Sequence, residues 1–244
     1  YQNAEEFYRA ENGHAIGYFW GYKTAGIFQS QQDINNWIAA GNGVLQSNVQ
    51  PGDVKYVDVN HDGTINANDK VDLGNGLPKY TFGFNFTLGY KGFDLSANFT
   101  GAAGFQIAQS YRDPSGSQGN YSHRILGRWT GEGTSNEMPR VTYGDVGNWL
   151  FSDLYLQDGD YIRLQNLTLG YDFKKLISWK GLSKLRLYFQ VQNLFTLTKY
   201  DGMDPEIGSY NGTDGNSSDS WVSGVDMGYY PHPRTFIVGV NVAF

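Results

Sequence analysis

Apolar residues occupy every second position from Tyr80 to Tyr90, where Tyr80, Phe82, Phe84, Phe86, Leu88 and Tyr90 alternate with Thr81, Gly83, Asn85, Thr87 and Gly89. Successive side chains of a β-strand point to opposite faces, so a period of two predicts a strand with one apolar and one polar face. After Lys91-Gly92 the alternation resumes with Phe93, Leu95, Ala97 and Phe99 against Asp94, Ser96, Asn98 and Thr100, which predicts a tight hairpin. The design returns at Leu185, Leu187, Phe189, Val191, Phe195 and Leu197, and again at Phe236, Val238, Val240, Val242 and Phe244. Tyr161 to Phe173 predicts a fifth strand, with Leu167, Leu169, Tyr171 and Phe173 in phase and Ile162 and Leu164 out of it. A β-bulge, or two apolar residues facing inward, accounts for that shift. Ile16 to Phe28 is a weaker sixth strand, carrying Ile16, Tyr18, Trp20 and Tyr22 on one face.

The connections between these strands alternate in length. Lys91-Gly92 is short and Lys174 to Ser183 moderate, whereas 29 to 79, 105 to 159 and 198 to 233 are long and rich in Gly, Asn, Asp and Ser. Short turns at one end and long loops at the other are the pattern of outer-membrane β-barrels, with the long loops outside the cell. Tyr80 and Tyr90 close their strand at both ends, as interfacial aromatic girdles do. The fold class expected is therefore all-β: an antiparallel transmembrane β-barrel segment of about six strands with long extracellular loops, its final residue on the periplasmic side. In such a wall Phe82, Phe84, Phe86, Leu187, Phe189, Val238 and Val240 face lipid, and Asn85, Gln190 and Asn241 face inward. The rival reading is a secreted, calcium-binding β-sandwich that adheres to carbohydrate. Its strands also have one apolar face, but loops near fifty residues are foreign to it.

Composition agrees with sheet and turn. The 244 residues include 32 Gly, 18 Tyr, 15 Phe and 6 Trp, with 17% charged. No run of roughly 20 apolar residues occurs, so helical membrane spans are not expected, and the mean hydropathy of -0.48 still permits a barrel, whose strands show lipid only every second residue. A net charge of -6 without Lys or Arg clusters suited to phosphate backbones argues against a nucleic-acid partner. Zero cysteines exclude disulfides, thiol catalysis and Cys-ligated zinc.

Several segments follow one another in a recognisable order. They are Gly21-Tyr22-Lys23-Thr24-Ala25-Gly26-Ile27-Phe28, Pro51-Gly52-Asp53 through Asn60, Leu73-Gly74-Asn75-Gly76-Leu77-Pro78-Lys79-Tyr80, Arg128-Trp129-Thr130, Tyr161-Ile162-Arg163-Leu164-Gln165-Asn166 through Tyr171, Gln192-Asn193-Leu194-Phe195, Asp204-Pro205-Glu206 and Pro231-His232-Pro233-Arg234-Thr235. In these segments the chain resembles the last third of SusC/RagA-type TonB-dependent outer-membrane transporters, and the resemblance covers nearly its whole length. That family implies a barrel of about 22 strands with an N-terminal plug, a Gram-negative outer membrane, and import of oligosaccharides or peptides. It also implies a SusD-like lipoprotein cap and energy from TonB. No plug or TonB-interacting segment lies within residues 1–244, so this chain is expected to supply wall, loops and the terminal strand. Phe244 matches the aromatic terminus that the barrel-assembly machinery reads in that family.

One motif carries metal chemistry. In Asp58-Val59-Asn60-His61-Asp62-Gly63-Thr64-Ile65-Asn66-Ala67-Asn68-Asp69 the oxygens recur at positions one, three and five, Gly63 takes the turn at six, and Asp69 closes at twelve. That is the spacing of an EF-hand-like calcium loop. Asp58, Asn60, Asp62 and Asp69 are the expected side-chain ligands, Thr64 a backbone carbonyl, and Asn66 a side-chain or water-mediated ligand, for one structural Ca²⁺. Asp in place of Glu at position twelve shortens the reach, and flanking helices are missing. The simpler reading is a solvated Asn/Asp/Gly turn. Glu132, Glu137 and Glu206 lie in loops without a glycosidase pairing, no Gly-x-Ser-x-Gly elbow occurs, and the Gly-Asn-Gly stretches read as turns, so no catalytic residues are expected. Trp149, Phe151, Tyr210, Trp221, Tyr229 and Tyr230 are able to stack on sugars or to pack loops together, the second being the simpler role.

Overall fold

The computed structural model describes residues 8–110, 123–142, 147–207 and 223–244. In chain order the strands are β1 (Tyr8–Arg9), β2 (Tyr18–Tyr22), β3 (Thr24–Ile27), β4 (Val54–Tyr56), β5 (Lys70–Asn75), β6 (Tyr80–Tyr90), β7 (Phe93–Ala103), β8 (Gln106–Gln109), β9 (Leu156–Asp158), β10 (Tyr161–Asp172), β11 (Lys184–Thr198), β12 (Val225–Asp226) and β13 (Thr235–Ala243). The helix α1 spans Gln31–Ala39 and starts at Ser30, whose hydroxyl accepts the Asp33 amide. The chain divides into two compact units. One holds residues 1–76, 106–157 and 207–228, the other 77–105, 158–206 and 229–244.

The second unit is one antiparallel sheet in the order β13-β11-β10-β7-β6, an up-and-down meander. Lys91 (φ 47°) and Gly92 (φ 97°) both take positive φ, as a two-residue hairpin turn with the right-handed twist of its strands requires. Register sets the apolar residues in rows across all five strands. Tyr90, Phe93, Tyr171, Leu187 and Val240 form one row; Leu88, Leu95, Leu169, Phe189 and Val238 the next; Phe86, Ala97, Leu167, Val191 and Phe236 a third. Lateral contact between neighbours in a row is what stabilises a sheet face. Among the described residues no second sheet covers the face: Phe84 is 59% exposed, Phe189 44% and Val238 71%. A soluble sandwich buries this face, so the sandwich reading is not favoured.

The phase change in β10 is a bulge. Between two matched rungs, β7 advances one residue (Asn98 to Phe99), β10 two (Asn166 to Leu164) and β11 three (Gln192 to Phe195). Gln165 is the surplus residue of β10, and it returns Leu164 and Ile162 to the apolar face opposite Phe99 and Gly101. In β11 Asn193 takes φ 50°, a conformation Asn tolerates, and its side-chain Nδ2 donates to the Pro233 carbonyl at 3.1 Å. The alternative of two inward-facing apolar residues is thereby excluded.

The reading of Ile16 to Phe28 as a sixth wall strand is corrected. The segment breaks at Lys23 into β2, which pairs with β1 and β5, and β3, which pairs with β4. Tyr18 and Phe19 are both buried, so β2 has two covered faces, and apolar alternation does not reveal which sheet a strand joins. The long connections also fold. Their core gathers Phe19, Met138, Trp149, Phe151 and Tyr155 in one cluster and Tyr22, Val54, Tyr56 and Ile65 in another.

Candidate functional site

Three groupings carry polar chemistry. The first is the acidic loop 58–69 of the first unit. Asp58 accepts the Gly63 amide at 2.7 Å and the Asp62 amide at 3.3 Å; Asp62 accepts the Thr64 amide at 2.9 Å and hydroxyl at 2.6 Å. The Thr64 hydroxyl, with its amide and Asn60 behind it, holds the Asp62 carboxyl below its ordinary value. Asp69 accepts the Val59 amide at 3.0 Å and the Asn66 amide at 2.8 Å, while Asn66 caps the short 3₁₀ turn Ala67–Asp69. Gly63 (φ 82°) takes the turn, and Ile65 inserts into the Tyr22/Val54/Tyr56 cluster. Asp58 and Asp69 are buried, whereas Asn60, Asp62, Thr64 and Asn66 lie at or near the surface. Among the described residues no three His, Cys, Asp or Glu side chains stand close enough together to hold a metal ion. Backbone amides thus already balance much of the loop's charge, and Asp62 Oδ1, which accepts both the Thr64 amide and hydroxyl, has its two lone pairs engaged. Beside the loop a cleft of 580 Å³ is lined by Asp58, Asp72, Asp153, Lys23 and His61 over Val57, Val71 and Leu73. Asp153 is held there by the Thr24 hydroxyl at 2.6 Å and amide at 3.2 Å.

The second grouping is the polar face of the sheet. One rung runs Asn85, Asn98, Asn166, Gln192 and Thr235; the next runs Thr87, Ser96, Thr168 and Gln190. Asn98 donates to Asn85 at 2.7 Å and Gln190 to Asn166 at 3.2 Å. Nearer the Lys91-Gly92 turn, Arg186 reaches Asp94 through two bonds of 2.7 and 2.5 Å, passing over Gly170. A Cβ at position 170 would collide with that pair, which is why a glycine stands between strands of large residues. Asn85, Gln190 and Asn241 all lie on this face, as expected, and the aromatic set lies on the other.

The third grouping is Arg163, paired in register with Thr100 and Thr196 at the long-loop end. Its side chain is 3% exposed. Nη1 donates to Glu206 at 2.9 Å, Nε to Thr196 at 3.0 Å, and Nη2 to the Asp204 carboxylate. Asp204 also accepts the Glu206 amide at 2.9 Å and the His232 amide at 3.1 Å, with the His232 ring nitrogen at 2.9 Å. Burial alone would raise the Asp204 carboxyl; these donors outweigh it and hold it below the ordinary value of 3.8. The motifs around Arg163, Asp204-Pro205-Glu206 and Pro231-His232-Pro233 are therefore one cluster that ties two loop segments to the strand. Sequence reading missed it because its members lie 41 and 69 positions from Arg163. The available signal was an arginine interrupting an apolar alternation.

Trp149 and Phe151 are core residues, in agreement with the simpler packing role, and Tyr230 is exposed. Tyr210 and Trp221 lie outside the described residues.

The chain is 34% identical over 234 residues, 95% of its length, to TonB-dependent receptor P3 of Formosa agariphila. Over nearly its whole length the chain is similar to TonB-dependent receptors. It is also 28% identical over 82% of its length to TonB-dependent receptor SusC of Bacteroides thetaiotaomicron. The RagAB peptide transporter shares its fold, with a TM-score of 0.62 over 98% of this chain and 24% of that one, at 21% identity. The chain spans 22% of P3 and 18% of SusC, so it corresponds to about a fifth of such a receptor. No family model matches it. The similar TonB-dependent proteins are receptors and a transporter, not enzymes. The fold match makes the five-stranded sheet a segment of an antiparallel β-barrel wall: its strands of 9 to 15 residues are long enough to cross a membrane, and its apolar rows form one exposed face. Val238→Arg, at mid-strand on that face, should cost about 2–4 kcal/mol, whereas Gln190→Arg on the other should cost far less, measured by urea unfolding in micelles.

Proposed function

We propose that this chain forms wall and outer loops of an outer-membrane importer that takes up oligosaccharides or peptides, works with a SusD-like surface lipoprotein, and is energised by TonB through parts outside residues 1–244. The observation that carries the reading is the uncovered apolar face opposite a ladder of amides, hydroxyls and one arginine cluster, in a chain 34% identical to a TonB-dependent receptor. Lipid satisfies the first face and a water-filled lumen the second. The Asn and Gln rungs offer donors and acceptors in equal number, which suits uncharged polar cargo of either class. Deleting the whole receptor gene from its host should abolish growth on one family of oligosaccharides or on peptides, and a tagged receptor should co-purify with a lipoprotein. Unchanged growth on every such nutrient, together with recovery of the receptor from buffer without detergent, would sink the reading.

For the loop 58–69 we propose one structural Ca²⁺ held by Asp58, Asn60, Asp62 and Asp69, with the Thr64 carbonyl and Asn66. Support comes from the ligand spacing, the turn at Gly63 and the anchoring of Ile65 in the core; binding requires Asp58, Asp62 and Asp69, which do not converge in this structure, to draw together and give up part of their amide bonds. Bound there, the cation would supply charge balance for three carboxylates and pin the loop; no chemistry on a substrate follows from it. Asp62→Ala should leave the barrel assembled while residues 50 to 75 become protease-sensitive, and chelator should reproduce that in the unaltered protein. Cleavage rates indifferent to chelator and to added Ca²⁺ would leave the Asn/Asp/Gly turn as the whole explanation.

A further inference from the structure

The short-turn end of the sheet has a composition that the import reading does not use. Contrary to the expectation that Lys and Arg are nowhere clustered, five of the chain's 18 cationic residues fall in the thirteen positions 174 to 186, which contain no Asp or Glu, in a chain whose net charge is -6. The connection between β10 and β11 is also too long to be a plain turn. A 3₁₀ turn at Phe173–Lys175 opens it, and Lys174 Nζ closes it by donating to the Trp179 carbonyl at 2.7 Å. This fold leaves Leu176 68% and Trp179 59% exposed. Trp179 meets Phe244 edge to face, with ring centroids 6.3 Å apart.

The strand ends bring further groups to this level. Lys91 stands at the β6–β7 turn over the Tyr90 ring, and Lys184 begins β11 opposite Ala243. The local carboxylates are already engaged: Asp94 is held by Arg186, and Asp172 accepts the Lys174 amide at 3.0 Å. Among the described residues no ion pair involves Lys91, Lys174, Lys180 or Lys184. Exposed aromatics and ammonium groups at one depth, continuous with the lipid-facing row Tyr90, Phe93 and Tyr171, call for an occupant that is apolar and anionic at once. A protein partner would need an acidic surface matched to a membrane edge; a phospholipid meets both requirements as it stands.

We propose that this rim is a docking site for anionic glycerophospholipids, with Lys91, Lys174, Lys180 and Lys184 receiving headgroup phosphates along it and Trp179 and Phe244 lying against the acyl-chain boundary. The site rests on the membrane reading and adds a lipid preference to it. The test uses the intact receptor carrying this chain, purified in neutral detergent and titrated with dioleoylphosphatidylglycerol or dioleoylphosphatidylcholine under native mass spectrometry. Phosphatidylglycerol should be retained at least about fivefold better, the preference expected from even one lysine at an anionic surface. The joint variant Lys91→Gln, Lys174→Gln, Lys180→Gln, Lys184→Gln should erase the difference, and inorganic phosphate should not compete. Equal retention of the two lipids by the unaltered receptor, a variant that keeps the preference, or displacement by inorganic phosphate would overturn the proposal. The membrane reading fails separately, if the receptor purifies from buffer without detergent.

Discussion

Replacing Arg163 with Met should destabilise the sheet unit by about 3–5 kcal/mol, the cost of leaving a buried charge without its partner. Asp204 is 8% exposed at its side chain and would lose the guanidinium while keeping its burial. Part of that loss should return in the double variant Arg163→Met, Asp204→Asn, because the second change removes the orphaned charge. Urea unfolding of the receptor in micelles measures the cycle, and equal losses from the single and double variants would show that Arg163 acts by packing alone. The pair also fixes a pH dependence. Asp204 has its folded-state value depressed below 3.8, so its contribution is complete above that value and disappears as pH falls through the lowered one. Acid, and not alkali, should therefore loosen the Asp204 and His232 segments, read as new protease sites in 199 to 207 and 229 to 234.

Asp53→Ala should cost the loop unit a similar amount, about 3–5 kcal/mol. Asp53 is fully buried, and one carboxylate oxygen accepts Arg140 Nε at 2.6 Å and Asn148 Nδ2 at 2.8 Å, while the other accepts the Gln50 amide at 2.8 Å. Asn148 passes the connection on, accepting the Val54 amide at 2.9 Å and Gln46 at 3.1 Å. Gly52 lets the chain make this approach: at φ 93° it donates to the Phe28 carbonyl at 2.7 Å, and a Cβ there would strike Trp129 and Arg140. Removing one carboxylate strands donors from three segments that sequence places up to 98 positions apart. Hydrogen exchange should show amides of 50 to 56 and 147 to 149 losing protection while β6, β7, β10, β11 and β13 keep theirs. Uniform loss across both units would refute the local role.

The five wall strands were legible because a lipid face and a polar face impose an alternation that few other environments demand over eleven residues. The hairpin at Lys91-Gly92 was legible from length and glycine alone. Ile16 to Phe28 misled for the same reason that Tyr80 to Tyr90 succeeded: aromatics at alternate positions report a strand and not its neighbours, and Phe19 on the odd face was the discordant residue. The acidic loop was visible as spacing, yet its amide bonds, which compete with a cation for the same oxygens, follow from backbone path. Arg163 and Asp53 were hidden by distance along the chain. Each looked like one charged residue in a motif, and only folding shows that each is the centre of one.

The surplus residue at Gln165 makes β10 a sentence written in two reading frames. On the Tyr171 side of it odd positions face outward, and on the Tyr161 side even positions do, as Leu164 and Ile162 show. Deletion of Gln165 would merge the two frames, since Leu164 and Asn166 already stand on consecutive rungs: Ile162 and Leu164 would keep facing outward and Arg163 inward, and only the bulge would be lost. Drawing the strand straight with Gln165 kept would do the opposite, sending Arg163 to the hydrocarbon and turning Leu164 and Ile162 towards water. The bulge is thus the punctuation that lets one sentence be read in both frames.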